Sequence, residues 1–103
     1  MWYLISYDIR NPRRLQRAHR VLKPRSYALL ESLFLFNGSA AELEALRNAL
    51  WKEIKPGTDD LLIYRLRTDQ PIRRWGTGCL PAGLYNFSLP PIIEHRDSRA
   101  WLP

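Results

Sequence analysis

At 103 residues and 46% hydrophobic composition, the chain is long enough for one domain that buries a core and leaves little room for a second. Sixteen Lys and Arg against ten Asp and Glu give a net charge of +6, which favours polyanions such as nucleic acid as partners. A single cysteine, Cys79, excludes an internal disulfide and any cysteine-based zinc cluster, and suits a reducing cytoplasm.

The chain opens with an apolar strand from Met1 to Tyr7 that ends in Asp8. Trp2, Leu4 and Ser6 fall on one face and Tyr3, Ile5 and Tyr7 on the other, so the strand reads as a central one, covered on both faces or nearly so. Asn11 is a good N-cap and Pro12 suits a first helical turn. Leu15, Ala18 and Leu22 then recur at helical spacing until Pro24 closes the helix, while Arg13, Arg14, Arg17, Arg20 and Lys23 occupy its remaining surface.

Tyr27 to Phe36 reads as one long second strand, rich in leucine and aromatics, with a turn at Asn37-Gly38. Ser39, with Glu42 three residues on, makes a capping box for a second helix whose Leu43, Leu46, Leu50 and Ile54 face inward. Pro56-Gly57 ends that stretch. Asp60 to Arg67 alternates as a third strand, and Arg73-Arg74-Trp75 suits a shorter fourth.

The elements predict an α+β, ferredoxin-like fold of order β-α-β-α-β-β, with an antiparallel sheet and both helices on one face, over residues 1–79. An additional short strand near Asn37 is the alternative that would restore the usual order. Residues 80–103 change character, with a strand expected at Leu84 to Leu89, and form a C-terminal tail. The chain start lacks the basic, apolar and small-residue pattern of a leader, and no stretch approaches the ~20 apolar residues that cross a bilayer. The expectation is a soluble cytoplasmic protein.

Asp8 is the residue on which a functional reading turns. Mg²⁺ takes about six oxygens and keeps several waters, so one or two carboxylates with substrate phosphates suffice to hold it. One Asp8 is too little, but two copies related by a two-fold axis would place Asp8 opposite Asp8. The plainer reading is a strand-end aspartate that caps the turn into the helix. Arg10, Arg13, Arg14, Arg17 and Arg20 follow within twelve residues, as phosphate ligands or as a solvated helix face. Asp59, Asp60 and Asp69 read as solvated turn residues, and His19 and His95 are isolated. Ser32, a small hydroxyl in an apolar strand, serves a backbone contact first, and otherwise supports Asp8 or meets a phosphate. No Ser-His-Asp order or glycine-rich phosphate loop is present.

The strand end Tyr7-Asp8-Ile9, the basic helix ending in Leu22-Lys23, Ser32-Leu33-Phe34 and the amphipathic stretch Ser39 to Ile54 together resemble the CRISPR-associated Cas2 family, over about residues 1–67. The sequence departs from the family pattern at Leu30, where a polar residue is usual, and at Leu35, where an acidic one is common. The resemblance implies a ferredoxin-like homodimer whose C-terminal strands cross to extend the partner's sheet. It also implies that the two copies of Asp8 share one Mg²⁺, with Tyr7, Ser32 and Phe34 supporting them and the basic helix positions falling on Arg14 and Arg17.

Members act as metal-dependent endonucleases on single-stranded RNA or double-stranded DNA, and as the dimer that bridges two dimers of the Cas1 integrase during spacer capture. Three functions therefore stand as expectations. One is a Mg²⁺-dependent phosphodiesterase in which paired Asp8 carboxylates hold the ion and arginines hold the phosphates. Another is a non-catalytic DNA-binding scaffold that docks the integrase through the tail near Trp101. The last is an RNA-binding module of the same fold that stacks bases on exposed aromatics.

Overall fold

The computed structural model describes residues 1–67, 69–75 and 92–95. Its elements are β1 (Trp2–Asp8), α1 (Pro12–Leu22), β2 (Tyr27–Leu30), β3 (Leu33–Asn37), α2 (Ala40–Trp51), β4 (Asp60–Arg65), β5 (Ile72–Trp75) and β6 (Ile92–His95). The first six lie in one unit, residues 1–66, and the last two in another, residues 67–103.

In the first unit the sheet order is β2-β3-β1-β4, and all three pairings are antiparallel. With the chain order β-α-β-β-α-β, that is the ferredoxin-like fold. Period-two alternation sorts β1: Tyr3, Ile5 and Tyr7 are buried, and with Ile9, Phe34 and Phe36 they form the sheet's contribution to the core. The helices supply Ala18, Leu22, Leu46 and Leu50 to the same core, with Ile54 just beyond α2. Both helices therefore cover one sheet face.

Local chemistry sets the helix boundaries. Asn11 is extended and its Oδ1 accepts from the amides of Arg13 and Arg14, while Pro12 occupies the first turn. Ser39 and Glu42 form the expected reciprocal capping box, and these hydrogen bonds hold the Glu42 carboxyl below its usual pKa. Gly57 turns the chain after α2 with φ of +83°, in the left-handed region that glycine adopts without steric cost.

The strand expected to run from Tyr27 to Phe36 is two strands. Glu31 and Ser32 form a turn, and β2 folds back on β3 with a register shift between Ala28 and Leu30. With no Gly, Pro or Asn at its middle, the run carries only the weak turn signal of Ser32, so its apolar character suggested continuity. The break supplies the missing strand of the usual order, some residues earlier than Asn37. The Arg73-Arg74-Trp75 segment is indeed extended, as β5, but pairs in parallel with β6 in a separate two-stranded sheet. The strand expected at Leu84 to Leu89, Cys79 and the tail near Trp101 lie outside the described residues. No helix among the described residues is long and apolar enough to cross a membrane.

Phe34 is fully buried, stacked on Tyr7 with centroids 5.8 Å apart and met edge-on by His19 at 5.6 Å. Truncating it leaves a cavity between the sheet and α1. Phe34→Ala is expected to cost about 3–5 kcal/mol in urea unfolding with an unchanged m-value, and a loss below ~1 kcal/mol would contradict this packing.

Candidate metal and nucleic-acid site

Burial of Tyr7 and Ile9 on either side turns Asp8 to the opposite, exposed face at the end of β1. Its partner across the ladder is Asp60, the first residue of β4. Directly opposed residues of an antiparallel pair project from one face with Cβ atoms ~4.5–5.5 Å apart. Two exposed carboxylates thus share one end of one sheet face.

Asp60 was expected only as a solvated turn residue. It is solvated, but the register also makes it the cross-strand neighbour of Asp8, a relation that no local pattern announces. Opposed like charges repel, and a cation between or beside them removes that cost. The donors are hard oxygens, and their exposure leaves room for the waters Mg²⁺ retains, so among the described residues Asp8 and Asp60 are a pair that fits such an ion. Among the described residues no group of three or more His, Cys, Asp or Glu forms a fuller cage.

The arginines of α1 divide into two roles. Arg13, Arg17 and Arg20 recur at i, i+4 and i+7, and all three are exposed on the side of the helix away from Ala18 and Leu22. They form one cationic stripe beginning five residues after Asp8, placed to meet phosphates.

Arg14 is turned inward. Its Nε donates to Asp59 Oδ2 at 2.8 Å and its Nη2 donates to Oδ1 at 3.1 Å, a two-pronged contact with a carboxylate whose side chain is fully buried. The backbone amide of Lys55 also donates to Asp59 Oδ2, at 3.0 Å. The Arg14 hydrogen bonds and then the Lys55 amide hold the Asp59 carboxyl below its ordinary pKa of 3.8, while the pairing raises that of Arg14. This corrects two expectations: Asp59 is not solvated, and Arg14 is already engaged by protein. The partners are 45 residues apart, so helix periodicity showed a charged surface position and nothing of its partner.

Tyr7, Ser32 and Phe34 do come together, on other terms than expected. Ser32 sits exposed in the β2–β3 turn, and its carbonyl accepts from the Tyr7 amide at 3.3 Å. The Tyr7 hydroxyl donates to the Glu31 carbonyl at 3.5 Å. Burial, then the Glu31 carboxylate, pushes the Tyr7 phenol above its usual pKa, so it remains a protonated donor at neutral pH. A cleft of about 500 Å³ opens on this side, lined by Tyr7, Leu15, Gln16, His19, Arg20 and Glu31. Asp8 is not part of that lining and faces the other side of the sheet.

Comparison with known proteins places these features in context. The family model described as CRISPR associated protein Cas2 matches residues 1–73. A CRISPR-associated endoribonuclease Cas2 of Nitrosomonas europaea is 38% identical over 88 residues, covering 85% of this chain and 84% of the relative. A second protein of that name, from Thermodesulfovibrio yellowstonii, is 30% identical over 86 residues, covering 82% and 94%. Among solved structures, Streptococcus pyogenes Cas2 superposes with a TM-score of 0.61 at 24% identity over 65% of this chain and 87% of that one. A hypothetical protein from Thermus thermophilus gives 0.62 at 26% identity over 78% and 93%.

The lowered pKa of Asp59 has a consequence for stability. A carboxyl whose folded-state pKa is depressed contributes stability that is fully present above its unfolded value and lost as pH falls through the folded one. The difference in urea midpoint between the parent chain and Asp59→Asn should therefore stay constant from neutral pH to about pH 4–5 and shrink below. A difference that persists undiminished at about pH 2 would show that the ionised carboxylate is not its source.

Proposed function

Because the chain belongs to the CRISPR-associated Cas2 family, we propose that it is a homodimeric, Mg²⁺-dependent endonuclease of single-stranded RNA whose dimer also binds double-stranded DNA and bridges two Cas1 integrase dimers. The observation that carries the nuclease reading is the exposed Asp8 and Asp60 pair at one strand end, with the Arg13, Arg17 and Arg20 stripe beginning five residues after Asp8. The names of the two curated relatives support RNA as the substrate.

In this reading Asp8 and Asp60 would hold the ion, which when bound would supply positive charge to offset the charge developing in phosphodiester cleavage. The arginines, charged at every physiological pH, hold neighbouring phosphates and fix the strand across the sheet end. Tyr7 keeps its proton at neutral pH and helps set the backbone of the β2–β3 turn through Glu31.

A second copy completes the site. Leu62 and Tyr64 of β4 are 64% and 60% exposed, on the face opposite the helices, where Leu4 and Ser6 are their ladder partners. Exposed leucine and tyrosine along a sheet face suit isologous packing against the same face of a second chain. Asp8 and Asp60 lie at the end of that patch, and a two-fold axis passing at that end would gather the carboxylates of both copies. The same dimer presents two arginine stripes, which is what a duplex-binding bridge needs.

Asp8→Ala is expected to reduce Mg²⁺-dependent cleavage of single-stranded RNA at least ~100-fold while leaving the dimer folded, with chelation of Mg²⁺ giving the same loss. Full activity in a nuclease-free preparation of the variant would sink the catalytic reading and leave the scaffold. Leu62→Glu with Tyr64→Lys should convert the dimer to monomer in sedimentation, and cleavage should disappear with it. A dimer that survives both changes would move the interface elsewhere.

A further inference from the structure

The buried ion pair of Arg14 and Asp59 closes a circuit around the carboxylates. From Asp8 the chain passes through Ile9 and Arg10 to Asn11, whose side chain caps α1 on the amides of Arg13 and Arg14. Arg14 then reaches across to Asp59, the next residue is Asp60, and Asp60 pairs with Asp8 across the ladder. Every link is a covalent bond, a cap, a two-pronged ion pair or a strand pairing.

The far side of the circuit is preformed. Asp59 closes its own turn: its amide donates to the Lys55 carbonyl at 3.0 Å while its carboxylate accepts from the Lys55 amide, with Gly57 at φ +83° between them. Arg14 docks into this turn from the first turn of α1. That turn contains Arg13 and Arg14 and no acidic residue, an arrangement the helix dipole disfavours, so Asp59 supplies the compensating charge from outside the helix. Alternation along the chain carries Asp59 inward and Asp60 outward, so fixing one orients the other.

We propose that Arg14 and Asp59 are positioning residues which hold Asp8 and Asp60 at the mutual placement that receives a divalent cation. The inference rests on the metal-site reading above. It separates Arg14 from its neighbours on α1: Arg13, Arg17 and Arg20 act on substrate phosphates, and Arg14 acts on the carboxylates through the turn before β4.

The test uses the full-length chain with Arg14→Gln, Asp59→Asn, their combination, Arg14→Lys, and Arg17→Gln for comparison. Three quantities are measured: amide hydrogen exchange at Asp8, Ile9 and Arg10 without metal, the midpoint for Mg²⁺ alone in a binding titration, and the salt dependence of single-stranded RNA affinity. Arg14→Gln and Asp59→Asn should each accelerate exchange at those amides and raise the Mg²⁺ midpoint about tenfold, and the double variant should do no more than either, because both remove one interaction. Arg14→Lys keeps the charge but not the planar fork, stays folded, and should fall between. The slope of log affinity against log salt should be unchanged in Arg14→Gln, Arg14→Lys and the double variant, and should steepen by up to about 0.7 in Asp59→Asn, which releases a charged Arg14. Arg17→Gln should do the reverse, lowering that slope by about 0.7 without moving the Mg²⁺ midpoint.

Folded variants that bind Mg²⁺ as the parent does, or an Arg14→Gln variant that behaves like Arg17→Gln, overturn the positioning role and leave the metal site standing. No Mg²⁺ binding by the parent chain overturns the metal site and this inference together.

Discussion

Strand β1 is hydrogen-bonded on both edges, to β3 and to β4, and its register decides where every functional group points. Tyr3, Ile5 and Tyr7 must face the helices because their burial, with Phe34 and Phe36, makes the core. The period of two then leaves Leu4, Ser6 and Asp8 on the other face, with no further choice. A slip of one residue would bury Asp8 and expose Tyr7, exchanging the core for the site. The exposure of Asp8 is thus a by-product of hydrophobic burial on the opposite side, and so is the position of Asp60 across from it.

The two faces of the sheet consequently divide the chemistry. The helix side holds Tyr7, His19 and Phe34 in ring contact, and the cleft beside them is bounded by Arg20 and Glu31. The other side carries the carboxylates and the exposed Leu62 and Tyr64. On that second face Trp2 and Leu35 are buried, and the exposed apolar surface is the β4 part, Leu62 and Tyr64. The carboxylates of Asp8 and Asp60 sit at the end of this exposed part, so the proposed dimer and the proposed metal site share one face.

Charge on α1 shows how a uniform-looking sequence run separates once folded. Four arginines at positions 13, 14, 17 and 20 read alike along the helix. Arg13, Arg17 and Arg20 are exposed on the side away from Ala18 and Leu22. Arg14 alone lies toward the turn before β4, where a buried carboxylate and the Lys55 amide await it. The pairing takes Arg14 out of the exposed cationic run and ties α1 to the turn before β4.

Much of the molecule was legible in the chain because the signals are local. Asn11-Pro12, the Ser39 and Glu42 box, the helical spacing of Leu15, Ala18 and Leu22 and the Asp8 strand end each occupy a few consecutive residues. They determined the helices, the central strand, the fold class and the family resemblance. Tertiary structure decided the rest: the break at Glu31-Ser32, where a lone serine is the only turn residue, the pairing of Asp8 with Asp60, and the burial of Asp59 against Arg14. These depend on which strands and turns meet when the core closes. Contacts between residues 45 or more positions apart are set by the packing of Ile5, Phe34 and Leu50 against one another, and a run of neighbouring residues carries no record of them.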